Sequence, residues 1–224
     1  MLRRSEQKEI LDGAVSREQV LVSMRRLAWQ NKWFFNNWLV YYFANKFVVR
    51  TKSVSILDVG TGVADLPHYL QNKFITKGLQ VSATGVDTNS TVLDIARRNL
   101  GVPLSVRLVN GRLEELNEKF DIVTASQMLH HVSPEDVPNF LKALYEKARV
   151  GVIISDLVRS RLNYWLVKFF MYAVFADKIS KNDGPISILR AYTDAELKEF
   201  FKQAGIENFK TYSFLFRKII VIKK

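Results

Sequence analysis

The chain has 224 residues, 48% of them hydrophobic, and no cysteine. That length supports one domain, or one domain with a helical appendage, and a full core without staples; the missing cysteine excludes a disulfide framework, a thiolate metal site and a cysteine nucleophile. The net charge of +11 is uneven: residues 1–53 hold ten Lys/Arg against four Asp/Glu, residues 54–156 ten against twelve, and residues 157–224 thirteen against six. Basic flanks around a slightly acidic middle suit nucleic acid, an anionic membrane surface or an acidic substrate, and equally a solubilising coat.

The opening Met1-Leu2-Arg3-Arg4-Ser5-Glu6 is charged and no apolar stretch follows at signal-peptide distance, so a cytoplasmic protein is expected. Residues 17–30 place Val20, Met24, Leu27 and Ala28 on one helical face, with Ser16 as N-cap. Residues 32–49 read as a second helix, dense in aromatics and too short and polar to span a membrane. From Ser53 the period changes. Val54–Val59 is a continuous apolar run ending at a glycine pair, as a buried parallel strand should be. Residues 64–73 then read as a helix, 79–86 as a strand, 90–100 as a helix, 105–109 and 120–125 as strands, 134–148 as a helix and 150–155 as a fifth strand. Strands alternating with helices mean a parallel sheet covered on both faces and built by right-handed crossovers.

The last third breaks that rhythm. Residues 161–176 form a helix apolar almost all round, with Lys168 as its one internal charge. Asp194–Ala204 is an amphipathic helix capped by Thr193, and residues 208–214 and 217–222 are two strands with little between them. So close a pair must be antiparallel. The predicted fold is α/β and Rossmann-like: seven strands, mostly parallel, one antiparallel strand near the edge, helices on both faces and an N-terminal helical cap.

Ligands of such sheets sit beyond the carboxyl ends of the strands. Leu57-Asp58-Val59-Gly60-Thr61-Gly62-Val63-Ala64-Asp65 lies there, and Asp87 closes the second strand. Gly60 and Gly62 permit a tight turn, and Asp87 can accept from both hydroxyls of a ribose. Asp65 stands where a dinucleotide fingerprint has its third glycine. An acid there, with Asp58 nearby, repels a pyrophosphate. A nucleoside carrying a cationic group suits both acids, and S-adenosylmethionine is such a ligand.

These residues, with Gly85-Val86-Asp87 and Phe120-Asp121-Ile122-Val123, resemble the class I S-adenosylmethionine-dependent methyltransferases over residues 54–224. A narrower likeness joins Leu11-Asp12, Ser126–His131, Asp156–Arg161 and Asp183-Gly184-Pro185 through Arg190-Ala191-Tyr192-Thr193 to bacterial small-molecule enzymes of the quinone-biosynthesis and type III polyketide synthase-associated kinds. Residues 53–224 are then the methyltransferase domain and 1–52 a helical cap, and residues 157–192, aromatic, basic and outside the strand–helix rhythm, are expected to form a substrate lid. The resemblance implies S-adenosyl-L-methionine as cofactor, held by Asp58, Gly60, Thr61, Gly62, Asp65, Asp87, Thr88, Asn110, Gly111 and Ser126. One departure stands out. The family's acidic pair after the third strand is replaced by Asn110-Gly111, and Asn110 can accept from an adenine amine.

His130 and His131 follow the fourth strand, where an imidazole, ionising near pH 6.5, can take a proton from a phenol; capping the strand end is the structural alternative. His68, inside the first helix of the sheet domain, is structural. With three histidines in all, no metal is expected. Asp156 either touches substrate or caps the next helix. Arg190 and Tyr192, expected in a loop, orient an anionic or phenolic acceptor unless they are surface residues. The expected activity is methylation of a small aromatic, quinone-like or lipophilic acceptor, at oxygen, with peripheral contact to an anionic membrane. Two alternatives are methylation of RNA or other nucleic acid, and a methyltransferase-fold protein that binds without catalysis. Against nucleic acid stand the absence of any Pro-Pro and of cysteine; against a binding protein stand Gly60, Gly62 and Asp87.

Overall fold

The computed structural model describes residues 2–13, 15–33, 35–48, 51–99, 106–175 and 177–224. Seven strands make one sheet: β1 (Ser53–Val59), β2 (Gln80–Asp87), β3 (Val106–Asn110), β4 (Phe120–Ser126), β5 (Ala148–Leu157), β6 (Phe209–Phe214) and β7 (Arg217–Lys223). Their order is β3-β2-β1-β4-β5-β7-β6. The pairs among β1–β5 are parallel, and β7 runs antiparallel to both neighbours, one strand in from the edge as expected. Chain order reverses between β1 and β4, so the ligand crevice of such a sheet opens beyond Val59 and Ser126.

Among the described residues eight α-helices accompany the sheet: α1 (Arg17–Trp33), α2 (Asn36–Ala44), α3 (Asp65–Ile75), α4 (Ser90–Asn99), α5 (Val137–Lys147), α6 (Arg161–Val174), α7 (Lys178–Arg190) and α8 (Asp194–Gln203). The pleat sorts the apolar runs onto two faces. Leu57, Val59, Val123, Ala125, Val152 and Ile154 pack with α5 and α8, whereas Val54, Ile56, Ile122 and Ile153 pack with α2 and α3. Both faces are buried, which is why these strands read as continuous hydrophobic runs instead of alternating ones.

Three elements differ from the sequence reading. The first helix runs on to Trp33, and the chain breaks at Phe35, whose φ of 56° is left-handed, so the second is only Asn36–Ala44. Phe34 lies outside the described residues, as do Ser105 and Ala176, where a strand start and a helix end were expected. Second, α2 is not a cap: Leu39, Val40, Phe43 and Ala44 are buried against β1 and α3, so packing does not divide at residue 52. Third, Arg190, expected in a loop, ends α7, which has Pro185 inside it, whereas Tyr192 lies in the short connection to α8 as expected. Asp177 caps the start of α7 by accepting from the Ser180 N–H at 2.9 Å, and Ile179, Ile186 and Ile188 are buried. That burial and the cap outweigh the turn signal of Gly184-Pro185.

Candidate active site

After β1 the chain turns sharply at Gly60 (φ 66°) and Gly62 (φ 56°), in the left-handed region that glycine tolerates. A Cβ on Gly60 would meet Met128 Sδ at 2.8 Å. The Gly60 and Thr61 N–H groups donate to Val86 O, at 2.9 and 3.1 Å, tying the turn to the end of β2. Asp87 sits at that junction. Its Oδ2 accepts from the Gly62 N–H and its Oδ1 from the Asn89 N–H, each at 2.9 Å. Two backbone donors thus fix the carboxylate, and lone pairs remain to accept from a ligand.

Beneath the turn lies a second acid. Asp58 is buried and accepts from the hydroxyls of Thr61 (2.8 Å) and Thr124 (2.7 Å). Burial pushes its carboxyl up to about 7, against the pull of those two hydrogen bonds. Asp65, at the start of α3, accepts from Asn31 Nδ2 at 3.3 Å and Asn37 Nδ2 at 3.0 Å. Asp58, Thr61 and Asp65 line a recess of about 40 Å³ behind Gly60 and Gly62.

In front of the turn opens a cavity of about 1110 Å³, room for a nucleoside-sized ligand and a small acceptor together. One end is walled by Gly60, Gly62, Asp87, Thr88, Gly111 and Ser126. The other is walled by Leu166, Phe169, Phe170 and Met171 of α6, and by Ile179 and Ile188 of α7. Arg217 of β7 also reaches the wall; burial lowers its guanidinium to about 10, and its Nε and Nη1 have no partner among the described residues.

Polar groups gather at one margin of the apolar end. His130 and His131 belong to a short 3-10 turn, Leu129–His131, just past β4, and both line the cavity with Glu9 and Asp12. His130 is buried, its Nδ1 2.6 Å from Asp156 Oδ1, and its own N–H donates to Asp156 Oδ2 at 2.8 Å. Burial raises the Asp156 carboxyl, but the charge and hydrogen bond of His130 outweigh it and hold the group below the usual carboxylate range. His131 Nδ1 lies 3.0 Å from Asp12 Oδ1. Burial also raises Asp12, and hydrogen bonds to His131 and Arg190 with their charges outweigh it, so Asp12 too lies low. Glu9 moves the other way: burial pushes it up to about 7, against the nearby His131.

Four sequence expectations need correcting here. Asp156, Arg190 and Tyr192 were expected at the substrate, but none lines the cavity. They stand behind the histidine segment and hold it. Asp156 grips His130, while Arg190 donates to His130 O (3.2 Å), His131 O (3.3 Å) and Asp12 Oδ2 (2.6 Å). The Tyr192 hydroxyl donates to Val132 O at 2.7 Å, and burial raises it to about 12. Arg190 is buried, contrary to a surface placement, because three acceptors converge on it. Asn110 is the fourth: its Nδ2 donates to Asp87 O (3.0 Å) and Thr88 O (3.1 Å), bracing the loop from behind the wall. The sequence reading missed Glu9 and Arg217, and it named Asp12 and Asp183 only as part of the family likeness, with no role for either. Asp183 accepts from the Ile10 and Leu11 N–H groups at 2.8 and 3.1 Å and so pins the segment that carries Glu9. Nothing local in the sequence marks Glu9 or Arg217, since their partners lie more than a hundred positions away.

The comparisons agree with this geometry. A family model described as a methyltransferase domain matches residues 56–151. A demethylmenaquinone methyltransferase of Staphylococcus aureus is 27% identical over 181 residues, covering 73% of this chain and 72% of its own length. A non-reducing polyketide synthase of Penicillium shearii is 24% identical over 117 residues, half of this chain but 5% of the synthase. Human N-acetylserotonin methyltransferase, solved with S-adenosylmethionine, superposes with a TM-score of 0.65 at 14% identity, covering 93% of this chain and 56% of the human one. The chain thus spans a small part of the synthase and little over half of the human enzyme. Residues 56–151 thus match a methyltransferase-domain model, and the glycine turn and strand order give the chain the fold of these S-adenosylmethionine-binding neighbours.

Proposed function

We propose that this protein transfers the methyl group of S-adenosyl-L-methionine to an oxygen of a small, apolar aromatic or quinone-like acceptor. The observation that carries the reading is the single cavity, with the glycine turn and Asp87 at one end and the aromatic wall of α6 at the other. In it the ribose binds Asp87, and Gly60, Thr88, Gly111 and Ser126 line the path of the nucleoside. Arg217, buried with unpartnered N–H groups, takes the cofactor's carboxylate, while Asp58 and Asp65 favour its ammonium. Methyl transfer depends chiefly on holding sulfonium and acceptor oxygen in line, which the apolar wall supports. In the metal-free protein His131 or His130 takes the acceptor's proton. Incubation with S-adenosylmethionine and a panel of phenols and hydroquinones, read as S-adenosylhomocysteine formed, tests this. Turnover only with amines or with RNA would replace the acceptor reading.

The raised Asp58 gives a pH prediction. Below about 7 the carboxyl is neutral and above it anionic, so a cationic cofactor should bind more tightly as pH rises through 7. Calorimetry between pH 6 and 7.5 should show that trend in the parent and a flat profile in Asp58→Asn. An identical slope in both would assign it elsewhere.

Among the described residues no helix is long and apolar enough to cross a membrane. Yet Leu162, Trp165, Phe169 and Tyr172 of α6 are exposed, and Lys168 Nζ lies 5.1 Å from the Trp165 ring. An amphipathic face with adjacent cations supports docking on an anionic bilayer, from which a lipophilic acceptor can enter. Parent protein should co-sediment with vesicles containing phosphatidylserine, and Trp165→Ser with Phe169→Ser should lose that binding. Equal sedimentation of both proteins would remove the membrane from the account.

A further inference from the structure

Two imidazoles and one carboxylate converge at the polar margin of the cavity. His130 Nε2 lies 3.6 Å from Glu9 Oε1, and His131 Nε2 lies 4.0 Å from Glu9 Oε2. One ligand atom from each of the three residues falls within 4.8 Å of the others. Both distances are too long for hydrogen bonds. Each histidine also has a carboxylate on its other nitrogen: Asp156 at 2.6 Å from Nδ1 of His130, and Asp12 at 3.0 Å from Nδ1 of His131. A carboxylate only accepts, so each Nδ1 carries a proton and Nε2 is the nitrogen turned toward Glu9. Both Nε2 atoms thus face the Glu9 carboxyl oxygens across a gap longer than a hydrogen bond.

That pattern is what a cation resolves. Metal-bound histidines characteristically give their second N–H to a carboxylate, which fixes the tautomer and strengthens the ligand. Here both do, and the supports are themselves held: Asp12 by Arg190 at 2.6 Å, and Glu9 Oε1 by the Ser187 hydroxyl at 2.7 Å. Metal–ligand bonds of about 2.0–2.2 Å put neighbouring ligands of a tetrahedral ion about 3.4 Å apart, so ligand atoms now within 4.8 Å of one another close in on the ion as it binds.

We propose that Glu9, His130 and His131 bind a divalent transition-metal ion, with its remaining coordination positions open to the cavity. Two histidines and one carboxylate suit zinc, iron(II) or manganese(II). The sequence expectation of no metal rested on the small number of histidines, but two suffice when a carboxylate from residue 9 joins them. Hydroxyl or phenolate oxygens are the ligands for the open positions, and at such an ion an acceptor hydroxyl is more readily ionised. This last point rests on the proposed acceptor; the ion site itself does not.

The test uses tag-free full-length protein, stripped with chelator and titrated with Zn²⁺ by calorimetry in the absence of S-adenosylmethionine. One ion per chain is expected, with micromolar or tighter affinity. Glu9→Gln and His131→Gln should each weaken it at least 100-fold with cooperative melting retained, whereas His68→Gln should leave it unchanged. Co²⁺ should give visible absorption bands in the parent that Glu9→Gln loses. Millimolar binding by the parent, or equal affinity in parent and Glu9→Gln, would overturn the site and leave a hydrogen-bonded cluster. Because the readout is the metal alone, failure here leaves the methyltransferase reading intact.

Discussion

Asp87→Ala should weaken S-adenosylmethionine by about 2–4 kcal/mol, roughly 30- to 1000-fold, because two charge-assisted hydrogen bonds to the ribose are lost. The effect has a second source. Asp87 also receives the Gly62 and Asn89 N–H groups, so removing it frees the turn against which the nucleoside rests. Asp87→Asn keeps the shape and one acceptor oxygen, and should fall between parent and alanine variant. Calorimetry on the three proteins checks the order; equal affinities would show that the nucleoside binds elsewhere.

The second large effect concerns folding. Treating the first 49 residues as a detachable cap leads to the expectation that a cofactor-binding core survives their removal. The packing of α2 reverses it. Leu39, Val40 and Phe43 are buried against β1 and α3, beside Leu70 and Phe74. At roughly 1.5–3 kcal/mol for each buried large side chain, their loss approaches the 5–15 kcal/mol that stabilise a typical domain. A chain beginning at residue 50 should therefore be insoluble or melt without cooperativity. A chain beginning at residue 16 should keep α1 and α2, fold, and lose only the segment that carries Glu9 and Asp12. Scanning calorimetry separates the cases, and a sharp transition in the shorter chain would restore the cap.

Why some of this was legible in the sequence and some was not follows from the range of the interactions. The strands from Val54 onward announce themselves because a strand buried on both faces is a continuous apolar run. The β6–β7 pair does so because Leu215 and Phe216, all that stands between the two strands, leave no room for a crossover. Gly60, Gly62 and Asp87 were legible because the turn and the acid sit at fixed places on two adjacent strands. α7 was hidden: Gly184-Pro185 is locally a turn signal, and only burial of Ile179, Ile186 and Ile188 outweighs it. Arg190 and Tyr192 were recognised as notable residues, but what they hold was hidden, since the acceptors, on residues 130–132, are some sixty positions away. Glu9 was missed altogether. Its position beside His130 depends on Asp183 gripping the N-terminal turn, a contact no periodicity encodes.

The central claim is that one cavity brings S-adenosylmethionine to an apolar acceptor, and native mass spectrometry of the full chain as purified tests it most directly. The spectrum should show one S-adenosylmethionine or S-adenosylhomocysteine per chain, retained on addition of NAD and absent from Asp87→Ala. Apo protein that takes up neither compound, or exchanges either for NAD, would contradict the account.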